Sequence, residues 1–218
     1  MPKMFSISGQ HYLFDVQTFA QVVLGAGGDE YHYALYDRTT QGVIDDVVNR
    51  TSDLGVICQT TLTAGPIDQE LERVGLEFHE LARSAPRIAL PKSHPMVNLP
   101  SIALEEMEGY PYIYFYQGED APDHFYEEAF GAVPRDKAIA CTDRASLSEL
   151  IVALNGYTVT SGILVGVTDG TLLTTVPMDT DLELMLGYVA RKGSTLSELE
   201  QKFVDRLGSN LEKYAARM

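Results

Sequence analysis

Short apolar runs alternate with segments whose apolar residues recur every three or four positions, through most of the chain. Such runs suit covered strands and such spacing suits helices packed on them, so the pattern predicts an α/β fold. Residues 5–8 read as a strand. Asp15 then offers a helix cap, Val16, Phe19, Ala20 and Val23 share one face, and Gly25, Gly27 and Gly28 offer the stop. Residues 31–36 form a second strand. Thr39 or Thr40 caps a helix striped by Val43, Ile44, Val47 and Val48, and residues 53–58 form a third strand. This βαβαβ run predicts right-handed crossovers over a parallel sheet.

After a less regular stretch, residues 87–90 begin a second series. Strands are expected at 112–116, 138–141, 157–160, 172–176 and 184–190. Ala121-Pro122 starts a helix with Phe125, Tyr126, Ala129 and Phe130 on one side. Ser146 to Glu149 reads as a capping box, followed by Leu150, Ile151 and Leu154 and closed by Gly156. A second box, Thr195 to Glu198, opens the clearest helix, striped by Leu196, Leu199, Phe203, Leu207, Leu211 and Tyr214. Two similar βα series with no linker between them suggest two lobes packed edge to edge.

Composition narrows the setting. The 218 residues are 45% hydrophobic and 22% charged, with no apolar run near the ~20 residues of a membrane helix. Met1 to Phe5 has no signal-peptide character, and Cys58 and Cys141, each ending an apolar run, read as reduced core thiols. A cytoplasmic setting is therefore expected. The net charge of −15 repels phosphate backbones, so this chain alone is expected to bind neither duplex DNA nor anionic membrane.

Three stretches, in this order, resemble the effector-binding region of LysR-type transcription regulators. The first runs through residues 5–24 and Leu35-Tyr36-Asp37-Arg38-Thr39-Thr40-Gln41-Gly42-Val43-Ile44 into Ser52-Asp53-Leu54-Gly55-Val56-Ile57. The second is Arg87-Ile88-Ala89-Leu90-Pro91-Lys92-Ser93-His94-Pro95-Met96, similar to a family strand that ends in a His-Pro-Leu phrase. The third spans Ser146-Leu147 to Gly156-Tyr157. The resemblance implies a type 2 periplasmic-binding-protein-like α/β fold, two Rossmann-like lobes joined by crossovers near 81–90 and 184–190. Lobe I would be 1–83 plus 187–218, and lobe II 84–186. It also implies a small effector in the inter-lobe cleft, a homodimer (a tetramer for a full-length parent), and DNA contact only through a winged-helix domain that is not in this chain. The turn Gly9-Gln10-His11 departs from the small hydroxyl residues frequent there, so the family's ligand chemistry does not transfer.

In such a fold the carboxyl ends of strands and the N-termini of helices face the cleft. Ser8, Gly9, Gln10 and His11 form the first turn, whose donors suit a carboxylate, although Ser8 and Gln10 equally serve to satisfy the turn itself. Thr39 either caps its helix or also meets the ligand. From the second lobe come Gln117, Thr142 and Arg144, with Arg144 free to pair with a ligand carboxylate, with Asp143, or with water. Thr160 and Ser161 either offer hydroxyls at the mouth or end a strand. The cluster Tyr110, Tyr112, Tyr114, Phe115 and Tyr116 reads as a two-faced core strand or an aromatic cage. An organic anion or an amino acid is the effector expected.

Catalytic patterns are poor. Ser161-Gly162 lacks the nucleophile elbow, no glycine loop matches a phosphate or dinucleotide fingerprint, and the five histidines have no metal-ligand spacing. Asp45-Asp46, Glu105-Glu106 and Glu127-Glu128 sit side by side on predicted helices, where neighbours diverge by about 100°, and so read as solvated faces. No enzyme activity, metal or cofactor is expected. A transporter's solute-binding protein shares the fold but wants a leader segment. A dehydratase wants a Thr-Arg-Phe phrase that Thr142-Asp143-Arg144-Ala145 does not supply.

Overall fold

A computed structural model describes residues 4–26, 30–165 and 171–215. Among the described residues ten strands and five α-helices alternate, most of them where the sequence pattern predicts. The first series gives β1 (Met4–Gly9), α1 (Leu13–Ala26), β2 (His32–Asp37), α2 (Thr40–Val48), β3 (Leu54–Thr60), α3 (Ala64–Arg73) and β4 (Leu76–Ser84). The second gives β5 (Arg87–Pro91), β6 (Tyr112–Phe115), β7 (Ala138–Cys141), α4 (Arg144–Leu154), β8 (Thr158–Thr160) and β9 (Leu173–Pro177). β10 (Leu184–Arg191) and α5 (Glu198–Ala215) close the chain.

The strands of one lobe form a five-stranded sheet in the order β2-β1-β3-β10-β4. β2, β1 and β3 run parallel, and β10 runs antiparallel between β3 and β4. Every residue of β3 is buried, as a central strand with helices on both faces requires. The other lobe holds the antiparallel set β8-β5-β9 and the parallel pair β6-β7, tied where Ile113 N–H donates to Tyr157 C=O at 2.9 Å. The chain leaves the five-stranded sheet over Ala85-Pro86 and rejoins it between Pro177 and Leu184. β10, read from sequence as a crossover strand, pairs with β4 from Leu184 onward. At Gly187 the ladder shifts register, and a Cβ there would lie 2.2 Å from the His79 carbonyl oxygen, so only glycine allows β4 this close.

α5 buries Leu199, Phe203, Val204, Leu207 and Leu211, each contributing about 1.5–3 kcal/mol of apolar burial. Its cap lies later than expected: Ser197 Oγ accepts from Glu200 N–H, and the Glu200 carboxylate accepts from Ser197 N–H at 2.6 Å. α4 likewise starts earlier than expected, because Asp143 Oδ1 accepts from Ser146 N–H at 2.8 Å and displaces the predicted box. α1 begins at Leu13, which puts Asp15 inside its first turn and makes Phe14, Thr18 and Val22 its buried face in place of Val16 and Val23. Gly25 lies within α1, and the other expected stops, Gly27 and Gly28, lie outside the described residues.

The segment expected to be irregular contains α3 and β4. The helix expected from Ala121 does not form. A single 3-10 turn, Asp123–Phe125, is followed by Tyr126 in extended conformation. Phe125 is buried in one cluster with Val43, Ile44, Ile67 and Leu71, so it is a core residue although no helix carries it. The reason the helix is lost lies two residues further on. Glu127 and Glu128, expected in water, are both buried, and an extended approach lets both turn inward.

Candidate functional site

The turn after β1 and the Tyr126–Ala129 segment meet between the lobes through a chain of hydrogen bonds. His11 stacks on Phe115 with ring centroids 4.0 Å apart, and its Nδ1 lies 2.7 Å from Glu127 Oε1. The His11 backbone N–H donates to Glu127 Oε2 at 2.9 Å, so both carboxylate oxygens are held. Gln117 Nε2 donates to the same Glu127 Oε1 at 2.7 Å, while Gln117 Oε1 accepts from Thr40 N–H at 2.9 Å. Thr40 Oγ1 donates to Phe125 C=O and accepts from Gln10 Nε2 at 2.6 Å; Gln10 Oε1 accepts from Cys58 N–H. The side-chain polar atoms named in this hydrogen-bonded run all have partners, as a low-dielectric interior demands. Burial opposes the His11 imidazolium, but the Glu127 hydrogen bond and charge outweigh it and raise its pKa above the ordinary histidine value.

Arg144, at the start of α4, reaches across the lobes to Asp37 at the end of β2. Its Nη2 lies 2.8 Å from Oδ2 and its Nη1 3.0 Å from Oδ1, a two-pronged contact. Beside it opens a cavity of about 90 Å³ bounded by Leu13, Phe115, Leu147, Ile151, Val159 and Ile163, with His11, Glu127, Glu128, Arg144, Ser148, Thr158 and Thr160 as its polar wall. A second cavity of about 480 Å³, toward Asp37, Asp143 and Glu149, shares Leu13, Arg144, Ser148 and Leu173 with the first, so the two adjoin. A mainly apolar hollow with few convergent polar groups is the usual form of a small-molecule site.

Two groups in the inner wall are unspent. Glu128 Oε1 accepts from Phe115 N–H at 2.8 Å, whereas Oε2 is buried without a hydrogen-bond partner; Thr158 Oγ1 is in the same condition. Burial first, and the Glu127 charge second, push the Glu128 carboxyl up to about 8, so it keeps its proton at neutral pH.

Of the residues singled out from sequence, His11, Arg144 and Thr160 line the inner cavity. Gln10 and Gln117 belong to the hydrogen-bonded chain beside it. Ser8 is fully buried against Asp46 and Ser52, each 2.6 Å from its hydroxyl, and Gly9 gives room to Asp15, whose Oδ2 would lie 2.0 Å from a Cβ. Thr39 caps α2 through Gly42 N–H, Thr142 is exposed, and Ser161 Oγ accepts from Ile163 N–H in its own turn. Sequence reasoning missed Glu127, Glu128, Ser148 and Thr158. The only signal for the acidic pair was its place within an apolar surround, Phe125-Tyr126 before and Ala129-Phe130 after. Cys58 and Cys141 are buried and outside any disulfide, and burial pushes their thiols up to about 12 and about 11, which disfavours the nucleophilic thiolate. Among the described residues no cluster has the makings of a metal site, and no helix is long and apolar enough to cross a membrane.

The LysR substrate binding domain model matches residues 31–212. The fold is similar to HinK, a LysR family transcriptional regulator from Pseudomonas aeruginosa, at 14% identity and a TM-score of 0.66, over 99% of this chain and 72% of that one. It is similar to the effector binding domain of QuiR in complex with shikimate, at 14% identity and a TM-score of 0.64, over 98% and 99% of the two chains. A third likeness is to the oxidized form of Corynebacterium glutamicum OxyR, at 14% identity and a TM-score of 0.64, over 100% and 67%. These likenesses are of fold. No curated protein matches the chain in sequence.

Proposed function

Because the chain belongs to the LysR substrate-binding domain family, with its two-lobed, type 2 periplasmic-binding-protein-like fold, we propose that it senses a small effector in the inter-lobe cavities bounded by His11, Arg144 and Ser148. The observation that carries this reading is the pair of adjoining cavities at the lobe junction, apolar in the main and bearing two unspent buried polar groups. The role is regulatory and not catalytic: the polar groups around His11 are spent on each other, and no nucleophile is activated there. We place the lobe limits near residue 84 and between residues 177 and 184, the setting in the cytoplasm, and the contact with DNA in a winged-helix domain joined to a sensor of this kind.

Ser148 stands at the junction of the two cavities and is half-buried, so tryptophan there fills the passage without entering the core. In a thermal-shift screen of small metabolites, compounds that stabilise the parent should fail to stabilise Ser148→Trp. A ligand at one hundred times its Kd adds about 2.7 kcal/mol, a readily measured rise in Tm. Hits that stabilise both proteins equally would place the site elsewhere.

We also propose that the chain pairs as a homodimer through the end of α1 and the edge strand β2, where Leu24 is 84% exposed and Tyr31 48%. Light scattering should report about twice the 24.0 kDa chain mass, and Leu24→Glu should return the monomer. A 24 kDa particle in the parent would end this proposal.

A further inference from the structure

The charges around the cavities are already matched, and this restricts what enters. Arg144 is held on two sides by Asp37, and His11 by Glu127. Asp143 and Glu149 add further carboxylates at the outer cavity, so an entering anion would meet paired cations and unpaired acids. Separating Arg144 from Asp37 to receive it would leave Asp37 behind. An entering cation fares no better in the inner cavity, because Glu127 is already engaged by three donors and the cation would stand beside Arg144 and His11. Among the fully buried polar atoms of the inner wall, one carboxyl oxygen of Glu128 and the hydroxyl of Thr158 have no hydrogen-bond partner. A buried polar group without a partner is costly, so a ligand that supplies one gains affinity from it.

We propose that the inner cavity takes the uncharged, hydrogen-bond-accepting head of a mainly apolar small molecule, such as an amide or ketone carbonyl, with the Glu128 carboxyl as the donor to it and Thr158 as a second contact. This rests on the reading of the cavities as the effector site. Glu128 can donate because burial and the Glu127 charge hold its pKa at about 8. A cavity of about 90 Å³ is smaller than the ~150 Å³ that encloses benzene, so only the head lies inside and the body extends past Ser148 toward the cavity of about 480 Å³.

Benzamide, benzoate and benzamidinium have nearly the same shape and differ in charge, so they separate the alternatives. Titration of each at pH 7 into protein labelled at isoleucine and valine methyls should show benzamide shifting Ile151, Val159 and Ile163, with an affinity about tenfold above either ion. Glu128→Gln, which keeps a donor at the same place, should retain benzamide. Glu128→Met and Thr158→Val should each weaken it about five- to tenfold, the worth of one net hydrogen bond. Benzoate or benzamidinium bound at these methyls as tightly as benzamide would overturn the proposed ligand class while leaving the site standing. Loss of benzamide binding in Glu128→Gln would overturn it too. Silence of these methyls toward all three probes would overturn the site itself, and with it the function proposed above.

Discussion

Replacing Glu128 with glutamine is expected to stabilise the protein, and by more as the pH rises. The carboxyl sits at about 8 against an ordinary 4.5, so the folded chain holds a proton that the unfolded chain releases. A group of this kind contributes stability that is complete below pH 4.5 and lost as pH rises through 8. Glutamine imitates the protonated acid: its amide oxygen can accept from Phe115 N–H as Oε1 does, and its NH₂ has no proton to lose. The gap between variant and parent should therefore be small near pH 4.5 and open to the order of a few kcal/mol at pH 8. The groups that face Glu128 are Glu127, Arg135, Tyr12, Tyr112, Tyr126 and Cys141, and all are present in both proteins. His11 and Asp15, whose pKa values are also raised, add slopes of the same sign that cancel in the comparison. Urea unfolding of both proteins at pH 5, 6, 7 and 8 measures the gap. A gap that does not widen with pH, or a variant less stable at pH 8, contradicts the buried, protonated state of Glu128.

Glu127→Ala should have the opposite effect and be the more severe of the two. Glu127 is 4% exposed and accepts from His11 N–H, lies against the His11 ring nitrogen, and accepts from Gln117 Nε2. Its removal strands three buried donors, one of them on an imidazole whose proton it holds. Breaking one side of a buried ion pair costs about 3–5 kcal/mol, and because these contacts join the lobes, the loss falls on their docking. The urea midpoint should drop accordingly. Glu127→Gln should cost less, since one acceptor survives, and its signature is different. With burial left unopposed by the carboxylate, the His11 pKa should move below its value in the parent, as an NMR titration of the ring reads directly. A cost under about 1 kcal/mol for Glu127→Ala would mean that the inter-lobe network contributes little to stability.

How much of this was legible in the chain follows the range of the interactions involved. Val43, Ile44 and Val47 on α2, and Leu199, Phe203, Leu207 and Leu211 on α5, declare their buried faces by spacing alone, because a helix repeats every 3.6 residues whatever it packs against. The strands of both series other than β4 declare themselves likewise, and the order of three phrases carried the family and the two-lobed fold. α3 went unread although its Ile67 and Leu71 stand four apart, since Pro66 within its first turn looks like a break.

The sequence offered His11, Arg144 and Thr160 for the site but not the acids that hold it together. Glu127 and Glu128 have the same local pattern whether solvated on a helix or folded inward, and the choice is made by partners far away in the chain. His11 lies 116 positions from Glu127, Thr40 lies 77 from Gln117, and Arg144 lies 107 from Asp37. The residue types, the element spacing and the acidic balance were thus determined by the sequence itself. Which acids are buried, which cations are already paired, and which donor is left for a ligand were decided only when the two lobes met. A carboxyl's pKa and its free hydrogen bond are set by desolvation and neighbouring charge in space, and those exist only after folding.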